Sequence, residues 1–355
     1  MTQEVRRKTT PALDWQARSR AVDGILDTAG LTPMVSLRRL APDGCEVLAK
    51  IEYFGPSGSV KDRIVPYIVR RAIERGDVKP GMTIIEATTG NTGIATAMVG
   101  AALGYPVLIV MPQGMSLERQ RTIQAYGAQL DLTPGGESDV DLVMDRVKQL
   151  KAASPGQFFE VGQFSNQHNV EAHYATTGPE IWTQAQGRLD AFVASQGTGG
   201  TITGVTRYLK EVAPHVRSYA VEPAECPILS GGGWGTHRIE GIGDGFIPEV
   251  LAVEELDGVI QVGSDEAVAM ARRLAREEGI FCGISSGCNV AACLKLWHRH
   301  PELTRIVTMV NDSGLRYLST GLTGEPSKLD IPDREHPLDP MGAERLARAR
   351  LEIID

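Results

Sequence analysis

Lys61 is the residue whose type and setting bear most directly on chemistry. It follows a Gly/Pro/Ser turn, Gly55-Pro56-Ser57-Gly58-Ser59-Val60-Lys61-Asp62-Arg63, and enters a helical pattern over 64–76, which places it in or near a first helical turn. The macrodipole at a helix N-terminus is positive and disfavours a cation. A lysine held there has its ammonium form disfavoured, and a depressed amine pKa is what covalent lysine chemistry requires. A solvated surface position is the commoner fate of a single lysine. The functional reading therefore rests on three further loops.

Gly197-Thr198-Gly199-Gly200-Thr201 lies between a strand pattern and a helix pattern. Successive glycines let backbone N–H groups converge, and the helix N-terminus adds positive potential, so a phosphate dianion fits there. No Gly-Lys-Ser/Thr follows, so this is not a Walker loop. A dinucleotide fingerprint would use Gly197, Gly199 and the acidic Glu222 after the next strand, but its third glycine position holds Ile202. By itself the loop also reads as a glycine turn without a ligand. In Thr88-Thr89-Gly90-Asn91-Thr92-Gly93, clustered hydroxyls and free helix N–H groups make a carboxylate site, or alone an ordinary Thr/Asn cap. Gly283-Ile284-Ser285-Ser286-Gly287 sets paired serines before a helix, alone another cap. Together, a covalent lysine, a phosphate nest without a nucleotide signature, a carboxylate loop and a serine pair point to pyridoxal phosphate bound with an amino acid.

The elements that must position these loops alternate. Runs 34–40 and 45–53 read as two strands around an Ala-Pro-Asp-Gly turn. Strands at 81–86, 107–111 and 129–132 are separated by helices reaching Leu103 and covering 117–126; a helix at 139–152 precedes a loop-rich crossing at 162–169. Strands at 189–194, 218–221 and 305–310 then alternate with helices at 202–212, 265–278 and 289–297, with a glycine-rich loop at 230–248 and a strand-to-loop passage at 280–287. Strands alternating with helices predict an α/β fold with mostly parallel sheets. Residues 1–24 read as an arm or a short helix. The tail from Ile331 is proline-rich, then helical over 342–351, with no function legible in it.

Composition bounds the rest. At 355 residues and 42% hydrophobic, the chain can bury a large core as two domains or one big one. A net charge of -8 argues against a nucleic-acid binder, which needs a basic face. No run approaches transmembrane length, and Met1 to Thr10 lacks a signal peptide's apolar core. Five cysteines, an odd number without a CxxC pair, read as reduced thiols of a cytoplasmic protein, with no disulfide scaffold or zinc site.

From about Ile25 to Thr320 the chain resembles the cysteine synthase family: O-acetylserine sulfhydrylases and the catalytic core of cystathionine β-synthases, pyridoxal-phosphate enzymes of fold type II. The motifs "PSGSVKDR", "EATTGNTGIA", "HYATTGPEIW", "GTGGTITGV", "EGIGDGFIP", "GISSG" and "RYLST" occur in family order. The resemblance implies that Lys61 binds the cofactor as an imine and that Asn91 meets the cofactor's 3′-oxygen. Thr88, Thr89, Gly90 and Thr92 would clasp the substrate carboxylate, with Gln163 near the substrate. Gly197, Thr198, Gly199, Gly200 and Thr201 would hold the phosphate, and Ser285 the pyridine nitrogen. The loop 237–246, with Gly241, would lie over the mouth. Two domains like those of the tryptophan synthase β chain are implied: 1–32 with 55–165 as the smaller, 33–54 with 166–330 as the larger, and 331–355 as a tail. So are a homodimer and, as a partner, serine acetyltransferase.

A neutral Ser285 hydroxyl gives no charge reason to keep the pyridine nitrogen protonated, so β-replacement follows more naturally than transamination. The expected reaction is O-acetylserine plus sulfide giving cysteine through an α-aminoacrylate. The alternatives are O-phosphoserine or serine as donor, and homocysteine or an amine as nucleophile, giving cystathionine or a diaminopropionate-type product. A retired binding partner of serine acetyltransferase is a different class, and intact Lys61, Asn91 and Ser285 count against it. Three departures from the family bear on the nucleophile: Gly314-Leu315-Arg316-Tyr317 for Gly-Glu-Arg-Tyr, Asn166-Gln167-His168-Asn169 for Asn-Pro-Ala-Asn, and Asp244 where many sulfhydrylases carry alanine.

Overall fold

The computed structural model describes residues 13–136, 139–324, 339–349 and 351–355. Strands β1 (Met34–Ser36) and β2 (Glu46–Ile51) pair antiparallel. The strand expected over 34–40 stops at Ser36. Beyond it the backbone N–H groups of Arg39 and Leu40 go to Glu278 Oε1 at 2.7 and 2.9 Å, not to a strand. A one-turn 3-10 helix, Val60–Asp62, precedes α1 (Ile64–Arg75), which ends on Gly76 in the left-handed conformation that glycine tolerates.

The chain then runs β3 (Thr83–Ala87), α2 (Asn91–Leu103), β4 (Val107–Pro112), α3 (Leu117–Ala125), β5 (Gln129–Thr133), α4 (Val140–Ala153) and β6 (Phe158–Glu160). These strands form an all-parallel sheet in the order β5-β4-β3-β6. Strand β6 was not foreseen; three residues give no alternation to read. Helix α2 is buried almost all round, which its Gly/Ala/Thr-rich sequence permits.

Helices α5 (His168–Ala172) and α6 (Gly178–Gln184) lead to β7 (Ala191–Ser195), α7 (Gly200–Val212), β8 (Arg217–Pro223), β9 (Gly258–Val262), α8 (Ser264–Arg273), α9 (Ile284–Arg299), β10 (Arg305–Val310), α10 (Pro340–Arg348) and β11 (Glu352–Ile354). The second sheet has the order β1-β2-β10-β7-β8-β9-β11, parallel except for β1. Both its faces are packed: α8 and α9 cover one hydrophobic cluster, α6 and α7 the other. The result is a two-domain α/β architecture of mostly parallel sheets flanked by helices.

Several expectations are corrected. Strand β9 was passed over, although Gly258-Val259-Ile260-Gln261-Val262 is a β-branched run. Helix α7 begins at Gly200, not 202, and α9 at Ile284, not 289, because backbone N–H groups of glycine and serine loops are already those of the first turn. The passage 280–287 carries one bridge, Cys282 with Ser313, and no strand. The helix expected over 265–278 turns into a π-helical segment at Leu274–Glu278. In the tail the helix stops at Arg348 and a strand follows; positions 331–338 and 1–12 lie outside the described residues, and Trp15–Ser19 is a 3-10 helix. All five cysteines are free, and no described helix is long and apolar enough to cross a membrane.

Candidate active site

The chemistry-bearing loops open at the carboxyl ends of parallel strands, where α/β sheets place ligands. They surround a cleft lined by residues from both halves of the fold. Lys61 lines it and is half-buried. Burial lowers the lysine pKa, opposed by the carboxylates of Asp244 and Asp312. The cause is thus desolvation and not the helix end, since Lys61 sits in the 3-10 turn ahead of α1. That turn is pinned by a capping box: Ser59 Oγ accepts from Lys61 N at 3.3 Å and Asp62 Oδ2 accepts from Ser59 N at 3.4 Å; the same oxygen also accepts from Ser57 N at 2.9 Å and Gly58 N at 3.1 Å.

Thr88, Thr89, Asn91 and Thr92 also line the cleft. Gly90 does not; it lies against Arg119, and a Cβ there would fall 2.3 Å from Arg119 Cδ. Thr92 Oγ1 donates to Gln163 Oε1 at 2.5 Å, and Gln163 Nε2 donates to Ala87 O at 3.1 Å, so the glutamine is fixed at the cleft wall. Behind it, the buried Glu86 carboxyl accepts from Gly162 N at 2.8 Å and Gln163 N at 3.3 Å, and burial lifts its pKa to about 8.

Gly197, Thr198, Gly199 and Thr201 line the opposite wall, while Gly200 packs on Asn169 behind it. A Cβ at Gly197 would sit 2.5 Å from Gly241 O, and one at Gly199 2.6 Å from Leu251 Cβ. Only glycine lets the backbone pass so close. Gly199, the N-cap of α7, has no side chain of its own to offer, and Thr198 Oγ1 accepts from Gly200 N at 3.3 Å. Thr198 Oγ1 accepts from Asn169 Nδ2 at 3.0 Å, and Thr201 Oγ1 meets His173 Nε2 at 3.1 Å. Burial, with the Arg63 and Lys61 cations nearby, holds His173 well below its usual pKa. Glu222, the residue a dinucleotide site would need, instead accepts from Leu229 N at 2.7 Å and Ser230 N at 3.0 Å; burial lifts it to about 7. It is committed to closing a loop.

Ser285, in the first turn of α9, lines the cleft and accepts from Asn311 Nδ2 at 3.2 Å. Gly241 and Asp244 lie at the rim of the same cleft. Arg119, Glu240, Asn311 and Asp312 were not foreseen. Arg119 is buried in a helix whose polar sequence reads as surface, and nothing in its spacing marks it. It ion-pairs with Glu240, donates to Tyr317 OH at 2.9 Å and lies 4.8 Å from that ring's centroid. Tyr317 OH in turn donates to Asp312 Oδ2 at 2.7 Å, which also accepts from Asn91 Nδ2 at 2.7 Å. Arg316 donates to Asn91 Oδ1 and to Ser57 O. The Asn91 amide is therefore oriented from both ends.

The family model of pyridoxal-phosphate-dependent enzymes matches residues 25–312, a span that holds every one of these loops. The chain belongs to the pyridoxal-phosphate-dependent enzymes. This pyridoxal-phosphate enzyme is 45% identical over 305 residues to a cysteine synthase of Staphylococcus aureus, covering 85% of this chain and 97% of that one. Its structure superposes on that of an O-ureido-L-serine synthase with a TM-score of 0.80 at 42% identity, over 88% of this chain and 98% of the other. A cysteine synthase from Entamoeba histolytica gives a TM-score of 0.82 at 40% identity, over 93% and 95% of the two chains. The residues present fit the cofactor: an amine whose pKa desolvation lowers, a glycine cradle that any Cβ would fill, and a hydroxyl at a second helix start share one cleft.

Proposed function

We propose that this enzyme catalyses β-replacement on O-acetylserine, with sulfide as nucleophile and cysteine as product. The observation that carries the proposal is the convergence of Lys61, the 88–92 loop, the 197–201 loop and Ser285 on one cleft, in a chain akin to cysteine synthases. Bound pyridoxal phosphate supplies an imine for the amino acid and an electron sink for its α-carbon. Gly197 to Thr201 present N–H groups and hydroxyls to the phosphate. The Ser285 hydroxyl takes the pyridine nitrogen without adding charge. The Asn91 amide, with one N–H on Asp312, keeps its other for the ring oxygen. Thr88, Thr89 and Thr92 hold the substrate carboxylate beside Gln163, Gly90 leaves room for Arg119 behind them, and Gly241 also lines the cleft. Lys61, whose pKa desolvation lowers, takes the α-proton at Nζ. The same reading carries small amino-acid substrates, a homodimer and serine acetyltransferase as a partner.

The test is a product analysis of the holoenzyme given O-acetylserine with sulfide, homocysteine and ammonia side by side. Cysteine should dominate. A diaminopropionate or cystathionine product, with no cysteine, overturns the choice of nucleophile.

One observation favours a second reading, in which the nucleophile is a neutral or cationic amine. Asp244 is 8% exposed and lines the cleft beside Glu240, so the mouth carries two carboxylates. A like charge about 4 Å away at an effective dielectric near ~20 is repelled by roughly 4 kcal/mol. Arg119 and Lys61 offset much of this; about 1 kcal/mol remaining changes selectivity about fivefold. Asp244→Ala should thus raise the sulfide-to-amine rate ratio by about fivefold at low salt. An unchanged ratio returns Asp244 to a turn residue between Gly243 and Gly245.

A further inference from the structure

We infer that the C-terminal residues 339–349 and 351–355 preorganise the phosphate-binding loop, and that Arg345 is the positioning residue among them. This segment lies beyond residues 25–312, which the family model matches. It is nevertheless built into the fold. Asp339 caps α10 by accepting from Gly342 N at 2.8 Å, and β11 adds in parallel to the edge strand β9 with Ile353 opposite Val259. Between these two anchors, Leu346 packs on the hydrophobic cluster that also holds Ile202 and Val205 of α7.

Arg345 makes the specific connection. Its Nη1 donates to Pro248 O at 2.8 Å, and its Nη2 donates to Leu251 O. The span between those two carbonyls is the back support of the glycine loop. Leu251 is fully buried, and its Cβ lies where a side chain on Gly199 would have to go, 2.6 Å from the ideal Cβ position. Ala252 N donates to Thr203 Oγ1 at 3.0 Å, in the first turn of α7. Gly199 itself holds φ at 85°. Arg345 thus clamps two carbonyls of the segment that packs against Gly199 in its left-handed conformation, at the start of α7. A guanidinium binding two carbonyls at once sets the spacing between them, which a single bond does not.

A loop prearranged for phosphate binds it without first paying to order itself. Removing the clamp should therefore weaken the ligand's phosphate contacts and leave its imine to Lys61 alone. The inference rests on the reading that 197–201 take the phosphate. The experiment titrates the full-length chain, stripped of cofactor, with pyridoxal phosphate and separately with pyridoxal, in wild type and Arg345→Ala. The expected result is that Arg345→Ala weakens pyridoxal phosphate binding about tenfold, a factor of ~1.4 kcal/mol, with pyridoxal unchanged. Backbone amides at 199–203 should also exchange faster with solvent in the variant. The inference is overturned if the variant keeps the wild-type preference for the phosphorylated form, or if both ligands weaken in parallel with a lowered unfolding midpoint. If wild type binds the two forms equally, the phosphate reading of the loop falls, and the inference with it.

Discussion

Lys61→Ala abolishes steady-state β-replacement while the variant still binds the cofactor through the glycine loop. Two functions are lost together. Lys61 is the amine that lines the cleft, and on the function proposed above its Nζ takes the α-proton. Loss of a positioned general base alone costs roughly 10²–10⁴-fold. The fold should survive, because the 59–62 turn is held by Ser59 and Asp62 and not by the lysine side chain. Steady-state turnover with O-acetylserine and sulfide, beside cofactor content measured on the same sample, separates the two effects. A variant within tenfold of wild-type turnover would show that another residue is the base.

Arg63→Ala is expected to destabilise the protein by about 3–5 kcal/mol, the cost of leaving buried charges unpaired. Two residues after Lys61, Arg63 is buried and binds both Glu52 and Glu180. The distances are 2.5 Å from Nε to Glu52 Oε2 and 2.8 Å from Nη2 to Glu180 Oε2. Lys50 Nζ completes the cluster, 2.7 Å from Glu180 Oε2. Removing the guanidinium leaves two buried carboxylates to one ammonium. Burial pushes the Glu180 pKa up, but Arg63 and then Lys50 outweigh it and hold the carboxyl down at about 2. A folded value below the ordinary 4.5 means that the contribution is fully present above pH 4.5 and is lost as pH falls toward 2. Urea unfolding at neutral pH should show the large loss, and wild-type stability should fall more steeply than the variant's between pH 4.5 and pH 2. A loss under about 1 kcal/mol would be that of a surface ion pair and would sink the assignment.

The 59–63 cluster also explains how a flexible-looking Gly/Pro/Ser turn holds a reactive lysine. Glu52 belongs to the segment after β2 and Glu180 to α6, so the turn is tied to the large sheet and to the helix beside it. Arg119 and Glu240 bridge the small sheet's α3 to the glycine-rich loop across the mouth. Charged pairs thus tie the Lys61 turn and α3 to elements of the large sheet.

The local loops were legible in the sequence because their chemistry is local. Glycines and hydroxyls clustered at a helix start mark 88–93, 197–201 and 283–287 whatever surrounds them. Most buried strands were legible for a similar reason, as apolar runs bounded by turn residues; β9 carried the same signal and was missed in the shadow of the long glycine loop before it. What the tertiary structure alone decided is where charge is buried. Arg119, Asp312 and the Lys50–Glu52–Arg63–Glu180 cluster look like surface residues in sequence, since a buried charge is tolerated only beside partners that lie far along the chain. Lys50 and Glu180 are 130 positions apart, and Asn91 and Asp312 are 221. The tail shows the same limit: its amphipathic helix was partly readable, but pairing with β9 and the reach of Arg345 to Leu251 depend on surfaces that exist only once the large sheet has formed.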